Sequence, residues 1–295
     1  MSIALTAHED DVPTLARRPR HRRGDGKIAC GAVVVALFVF AGIFAPLLTS
    51  GHPEAQDLLH RLAKPSGAHL LGTDQLGRDV WTRLVYAIRV DLTVGLLGTL
   101  IPAVLGSLIG IAAGFGGRFV DAAIMRISDV VVSFPLFIFF IALLGLVGPG
   151  HGWLFLGPGE VPIIIGFTLI SWIVYARLLR TEIRRVRTMD YVRAATTGGL
   201  PRRRIILWHV LPNALGQTVV YVFVDVGLAM LALATLSFLG VGIPIGTAEW
   251  GAMINSGQSL LQHDWWLVAA PGLAIALLAM GLALIGDGLD DRLKA

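Results

Sequence analysis

The chain has 295 residues, of which 55% are hydrophobic and only 15% are charged, and its mean hydropathy is +0.73. Soluble domains carry about 25% charged residues, so this composition excludes a soluble globular protein and a disordered chain. The formal net charge of +4 raises nucleic acid as a partner. The basic residues form no folded basic face, however, so nucleic acid is not the predicted partner. The chain is instead predicted to lie in membrane lipid.

Six apolar stretches are long enough to cross a bilayer, which takes about 20 residues. They fall at approximately 28–48, 92–114, 127–148, 161–179, 214–240 and 267–287. The first follows a basic tail, 1–27, but is too long for a typical signal peptide, and Pro46 with bulky neighbours makes a poor cleavage site. The sequence therefore predicts an all-α integral membrane protein with six transmembrane helices, the first an uncleaved anchor.

The distribution of lysine and arginine predicts the orientation of these spans. If both ends of the chain lie on one side, 19 of the 24 basic residues share that side, nine of them between 177 and 204. Basic residues favour the cytoplasmic side. Both termini are therefore predicted to be cytoplasmic, and the segments 49–91, 149–160 and 241–266 face outward.

The predicted outer segments contain two features of a membrane surface. Residues 76–90 place Leu76, Val80 and Leu84 on one helical face, which predicts an amphipathic helix at the outer interface. Four tryptophans fit an interfacial aromatic belt, namely Trp153, Trp250, Trp265 and Trp266. The single cysteine, Cys30, permits no intrachain disulfide and is predicted to be a small buried thiol.

Polar and special residues within the spans are candidate path or packing residues. Asp225 lies about 11 residues into span five, near the bilayer midplane, where a carboxylate is costly; it either lines a translocation path or is a structural, hydrogen-bonded group. Asp129 is three residues from Arg126 and is predicted to pair with it, as a structural contact or a gate. Pro135 is a candidate path residue that could also kink its span. A glycine stripe in span two favours close helix packing: Gly106, Gly110 and Gly114.

The cytoplasmic segment 180–213 is too long and too patterned to be only a connection between two spans. Residues 191–197 have helical character, Gly198 and Gly199 interrupt it, and the helix resumes after Pro201. The adjacent Ala194 and Ala195 allow another surface to approach closely. This pattern predicts a short exposed helix beneath the membrane.

The spacing of this segment resembles the EAA loop of ABC importer permeases, and we call 180–213 the EAA segment. The family motif is Glu-Ala-Ala, three residues, Gly, nine residues, and then a hydrophobic residue, any residue and Leu-Pro. Arg193 takes the place of the glutamate and His209 that of the hydrophobic residue. His209 could sense pH, although a local hydrogen bond is the plainer expectation. The resemblance implies that the residues of this motif, with the nearby Arg202 and Arg203, couple the permease to an ATPase. The coupling residues are then Tyr191, Arg193, Ala194, Ala195, Gly199, Arg202, Arg203, His209, Leu211 and Pro212.

Two further stretches resemble the dipeptide and oligopeptide branch of this family. They are Leu71–Val80, with Gly-Thr-Asp-Gln-Leu-Gly-Arg-Asp, and Asp121–Pro135, with Met-Arg and Ser-Phe-Pro. The resemblance covers almost everything after residue 28. It implies a type I importer fold with a basic tail 1–27, an anchor 28–48, an extracytoplasmic loop 49–91, a permease core 92–288 and a cytoplasmic end 289–295.

The resemblance also implies the partners: a second permease, two ATPase subunits and an extracytoplasmic binding protein, in a bacterial inner membrane. The chain has no P-loop sequence to hold nucleotide phosphates. ATP and Mg²⁺ are therefore expected on the partner ATPases, and no enzyme activity or cofactor is expected of this chain itself. The arginines of the EAA segment could contact the ATPase, anionic lipid or both.

Di- or oligopeptides are the substrate that the resemblance implies, while nickel chelates, haem and glutathione remain alternatives within the same machinery. A proton-coupled secondary carrier with Asp225 as its relay is a more distant alternative. Such a carrier would show charged relays across several spans or an inverted repeat, and the sequence shows neither feature.

Overall fold

The computed structural model describes residues 22–294 except 50, 149, 151 and 245. Most of the predicted basic tail, residues 1–21, lies outside this range. Regular structure in the described residues is helical, apart from two isolated β-bridges. The helices are α1 (Arg22–Ile43), α2 (Ala45–Leu48), α3 (Val80–Phe115), α4 (Arg118–Val132), α5 (Leu136–Val147), α6 (Glu160–Arg187), α7 (Asp190–Thr197), α8 (Arg202–Ile205), α9 (Leu211–Phe238), α10 (Trp250–Gly257) and α11 (Trp266–Leu293).

Five helices are long and apolar enough to cross a membrane: α1, α3, α6, α11 and the continuous run from α8 through α9. The pair α4 and α5 is bent by 81° and makes a sixth span if it is counted as one. The predicted span 127–148 is therefore two helices rather than one. The break falls at Ser133–Pro135, because Pro135 cannot donate a backbone N–H and disfavours helical geometry in the residue before it.

Both described ends of the chain lie at the same end of the bundle. Lys27 near the start of α1 forms an ion pair with Asp291 near the end of α11, at 2.9 Å between Nζ and Oδ2. Arg292 likewise contacts Asp25 at 2.7 Å. We call this end, which also carries the EAA segment, the inner end, and the opposite end, which carries residues 51–79 and 246–265, the outer end.

The glycine stripe of span two packs as predicted, against α6. A Cβ atom built on Gly106 would lie 2.2 Å from the backbone oxygen of Trp172, and one on Gly110 would lie 2.8 Å from that of Ala176. The same atom on Gly114 would lie 2.9 Å from Cγ2 of Ile183. Only glycine permits this approach, so the stripe brings α3 and α6 into close contact between Gly106 and Gly114.

The predicted amphipathic surface helix at 76–90 is wrong. α3 begins at Val80, with the side chain of Asp79 capping it by accepting the N–H of Thr82, and continues unbroken into span two. Val80, Ala87 and Ile88 are buried in the protein core rather than at a membrane surface. The apolar face exists because this part of α3 packs against other helices of the bundle.

Two smaller expectations are also wrong. Trp250 is fully buried, with its ring edge against Phe38 and its Nε1 donating to the backbone oxygen of Leu84, whereas Trp153 and Trp265 are exposed as a belt requires. Cys30 is exposed on α1, because α1 is a peripheral helix with only one side against the bundle.

Candidate functional site

The EAA segment folds as a short helix between two turns at the inner end of the bundle. α6 ends at Arg187, and α7 covers Asp190–Thr197, as the pattern predicts. Gly198 has a φ of −71°, and Gly199 has a φ of +76°. A left-handed conformation disfavours residues with a Cβ, so Gly199 sets the turn by which the chain leaves α7.

Residues 201–212 lead the chain from the turn after α7 back into the membrane-spanning region. Pro201 precedes α8, and a π-helical turn follows at Ile206–Val210 before α9 begins at Leu211. Pro212 has no N–H to donate to the preceding turn, and the helix widens just before it. The Leu-Pro pair therefore marks the junction between the EAA segment and α9.

α7 is fastened to the bundle on one side only. Val192 is buried in a cluster with Ile183 and Val186 of α6 and with Ile205 and Val210 of the following segment. The opposite side of α7 is open, and its exposed residues include Tyr191, Arg193, Ala194 and Thr197. A partner that grips this open side would move α6 and α9 with it, because the shared apolar cluster links all three.

The arginines of the EAA segment divide into two groups. Arg180 and Arg184 both bind the carboxylate of Asp121 on α4, with 2.6 Å from Nη2 of Arg184 to Oδ2. The guanidinium of Arg187 donates to the backbone oxygen of Gly114 at 2.9 Å. Arg185 pairs with Glu182 on the same helix, at 2.8 Å between Nε and Oε2. The remaining four are exposed and form no ion pair among the described residues: Arg193, Arg202, Arg203 and Arg204. Only this second group is free to contact a partner.

His209 does not make the expected side-chain hydrogen bond. Its Nδ1 is buried and has no hydrogen-bond partner among the described residues. Its backbone oxygen, in contrast, accepts the side-chain amide of Asn213 at 2.7 Å. The local bond at this position is therefore made by the backbone of the π-helical turn.

Asp225 lies in the middle of α9 and is hydrogen-bonded within the chain. The hydroxyl of Tyr175 on α6 donates to Oδ2 of Asp225 at 2.7 Å. The ring of Tyr175 also packs edge-on against Tyr221, with 5.4 Å between centroids. The carboxylate thus joins α9 to α6. Tyr175 was not singled out by sequence reasoning, because a tyrosine in an apolar span carries no pattern that names its partner.

Asp129 and Pro135 lie at the bent span, and their predicted contacts change. Asp129 pairs with Arg177 of α6, at 2.8 Å between Oδ1 and Nη2, rather than with Arg126. The pairing differs because α4 packs along the inner half of α6, whose arginines are nearer to the acidic side of α4. Pro135 is exposed at the start of α5, so both residues lie on a surface of the described chain.

A buried ionic cluster secures the outer end. The carboxylate of Asp74 accepts two backbone N–H groups and the Nε of Arg78, the latter at 2.7 Å. Arg83 donates to the backbone oxygens of Pro53, Gly246 and Thr247. The stretch that resembles the peptide-transporter branch, 71–80, therefore ties the outer loop to the start of α3 and to the segment before α10.

The fold and the EAA segment define a multispan membrane transport subunit that presents a short helix to a partner at its inner end. Residues 106–295 match the family model described as binding-protein-dependent transport system inner membrane component. The chain belongs to this family. This membership places it in the inner membrane and excludes the secondary-carrier alternative.

Curated relatives cover nearly the whole chain. It is 38% identical to the probable D,D-dipeptide transport system permease protein DdpC of Escherichia coli, over 92% of this chain and 88% of the relative. It is 35% identical to the dipeptide transport system permease protein DppC of Alkalihalophilus pseudofirmus, over 89% of this chain and 84% of the relative.

A crystal structure of an amino acid ABC transporter with histidines matches the fold with a TM-score of 0.55 and 13% identity. The match covers 71% of this chain and 93% of the solved one. At this identity the likeness shows the fold alone, which is the type I importer fold.

Proposed function

We propose that this permease translocates di- or oligopeptides that a binding protein delivers, driven by two ATPase subunits and together with a second permease. The peptide substrate is supported by relatives at 35–38% identity whose names state dipeptide transport. ATP and Mg²⁺ act on the partner ATPases, and the open side of α7 is the surface that they would grip.

The observation that carries this proposal is the one-sided attachment of α7. Val192 attaches one side of α7 to α6 and α9, and the open side exposes Tyr191, Arg193 and Ala194 of the EAA pattern. Closure of a partner around α7 would therefore shift whole spans as rigid bodies. Arg193 would meet that partner in place of the usual glutamate, which changes the sign of the charge at the contact.

Asp225, Asp129 and Pro135 belong to the proposal as candidate path residues. Asp129 and Pro135 lie on an exposed surface at the bent span, and Asp225 is partly buried against Tyr175. These residues would form one wall of the translocation path, and the second permease would form the facing wall. Their role depends on that pairing.

The test is uptake by proteoliposomes that contain this chain, a second permease and two ATPase subunits, with the binding protein outside. A labelled dipeptide should accumulate only when ATP is inside, and a catalytic lesion in the ATPase should abolish uptake. Competition by unlabelled oligopeptides is expected, whereas nickel chelate, haem or glutathione as the only effective competitor would replace the peptide assignment. Uptake by this chain alone, driven by a proton gradient, would contradict the whole proposal.

A further inference from the structure

Two carboxyl groups that no transport role explains lie buried against each other near the outer end. Asp91 is on the fourth turn of α3, and Glu249 immediately precedes α10; both are fully buried. The N–H of Trp250 donates to Asp91, and the N–H groups of the next two residues, Gly251 and Ala252, donate to Glu249, so both carboxyls lie at the start of α10. The sequence does not point to this pair, because 158 positions separate the two residues.

The hydrogen bonds around the pair identify Glu249 as the charged member. Its Oε1 accepts the N–H of Gly251 and its Oε2 accepts the N–H of Ala252, both at 2.7 Å, which caps the start of α10. Backbone N–H bonds to both oxygens favour the ionised form of a carboxyl group, and so does its position at the N-terminal end of a helix. Asp91 Oδ2 accepts the N–H of Trp250 at 3.2 Å.

The second oxygen of Asp91 has no donor. Its Oδ1 is buried without a hydrogen-bond partner in the described part of the chain. An unpaired buried carboxylate oxygen beside another carboxylate is strongly unfavourable, since two like charges cannot both ionise in a site without water. A proton on Asp91 removes this conflict, because the resulting hydroxyl can donate to Glu249.

No cation neutralises the pair within the described residues. Arg83 is two turns nearer the outer end of α3 and is occupied by backbone oxygens and by Asp74. Arg89 turns toward the backbone oxygens of Gly42 and Ile43. The helices packed on α10 carry no other acidic side chain at this level among the described residues: Asp225 is thirteen residues before the end of α9, Asp264 precedes α11, and the first acid on α11 is Asp287.

We propose that Asp91 and Glu249 bind one proton between them, and that this proton holds the start of α10 on α3. The pair is then an O–H···O⁻ contact with a single negative charge, which the helix cap of α10 stabilises. Burial raises the pKa of the Glu249 carboxyl above its ordinary range. Loss of the proton would leave two buried negative charges, so the closed arrangement of the outer segment 246–257 would open.

The direction of the pH effect follows from proton counting. When the segment opens, both carboxyls become ordinary solvated groups that are ionised above about pH 4.5, so opening releases one proton. The ratio of open to closed molecules should therefore rise about tenfold per pH unit until the pair itself has lost its proton. The closed state is favoured toward lower pH and weakens as pH rises.

The experiment is hydrogen–deuterium exchange of the whole chain in nanodiscs, from pH 5.5 to 8.5, on a peptide covering 246–257. Protection factors are used because they divide out the intrinsic effect of pH on amide exchange. In the wild-type chain, protection of this peptide should fall about tenfold per pH unit over the lower part of the range, while a peptide covering 190–197 should show no such slope.

Asp91→Asn is the decisive variant, because its amide can donate to Glu249 and accept from Trp250 without any titration. We expect its protection to be independent of pH and at least equal to that of the wild-type chain. Glu249→Gln, which caps α10 less well, should have lower protection that is also independent of pH, and it serves if Asp91→Asn does not fold. Asp264→Asn is the matched control and should keep the wild-type slope.

Three results would overturn the proposal. The first is a flat profile in the wild-type chain, and the second is an unchanged slope in Asp91→Asn. The third is protection that depends on Na⁺ or K⁺ concentration at constant pH, which would assign a metal cation rather than a proton to the pair. All of these measurements are independent of substrate, so their failure is separate from failure of the proposed transport function.

Discussion

At the scale of single residues, Gly199 has the most specific conformational role. Its φ of +76° lies in the left-handed region, yet a Cβ atom there would meet nothing within 4 Å. The requirement at this position therefore comes from the backbone and not from crowding. Gly198 next to it has an ordinary φ of −71°, which makes the two glycines a natural comparison.

We expect Gly199→Val to uncouple transport from ATP hydrolysis, whereas Gly198→Ala should leave both nearly unchanged. The left-handed conformation costs a residue with a Cβ about 1–2 kcal/mol, and a β-branched one more, so the exit from α7 should shift. The measurement is the ratio of peptide transported to ATP hydrolysed in the reconstituted complex. An unaltered ratio in Gly199→Val would refute the coupling role of this turn.

Asp225 links α9 to α6 through one hydrogen bond. Its position in an apolar span marks it as unusual, and the sequence left open a path role or a structural hydrogen bond. The bond with Tyr175 demonstrates a contact between α6 and α9. It could not be predicted, because 50 residues and a whole EAA segment separate the two side chains in the chain.

At the scale of elements, α1 is joined to α11 by two matched pairs of glycines. A Cβ on Gly31 would lie 2.4 Å from the backbone oxygen of Gly281, and one on Gly24 would lie 2.5 Å from that of Gly288. Both pairs are spaced by seven residues, which is two turns of each helix. The backbones therefore touch at two levels, and the ion pairs of Lys27 and Arg292 lie beside the inner level.

We expect Gly31→Leu to separate α1 from α11 and to lower stability by about 1–3 kcal/mol, the usual cost of overpacking. Gly26→Leu is the matched control on the same helix, since a Cβ there meets nothing within 4 Å. The measurement is the thermal unfolding midpoint of the purified chain in detergent. Equal midpoints for the two variants would show that the α1–α11 contact contributes no stability.

The elements themselves were largely predictable, but the break within 127–148 and the true start of α3 were not. Hydropathy located every span, and glycine and proline located α7 and the restart at α8. The sequence did not reveal that α3 extends back to Val80, because the charged residues of its first three turns resemble a water-exposed surface. Arg83 is instead buried and donates to three backbone oxygens, and Arg89 donates to the backbone oxygens of Gly42 and Ile43.

At the scale of the whole molecule, the arrangement of spans carries a prediction about sidedness. The structure brings both described termini and the EAA segment to one end, and the concentration of arginine at that end predicts that it is cytoplasmic. The outer loop would then be reached from outside the cell membrane. Orientation is a property of insertion and is tested by labelling.

In a Cys30→Ser background, a cysteine at Gly67 should react with a membrane-impermeant maleimide in spheroplasts, whereas a cysteine at Thr197 should react only after the membrane is opened. Both positions are exposed and lie outside the long helices, so their thiols are equally reachable from their own side. Fluorescence of the labelled bands measures the two rates. Labelling of Thr197→Cys from outside would reverse the predicted topology.

Because of the glycine contacts between α1 and α11, a label on the peripheral helix α1 would report the position of α11. α1 lies before the residues that match the family model, 106–295, and its backbone is fixed at two levels to the last helix of that matched core. A fluorophore attached at Gly26, where the surface is open, would follow α11 rather than drift independently. Paired with a second fluorophore on the open side of α7, it would record in real time how far the last helix travels when the ATPases close.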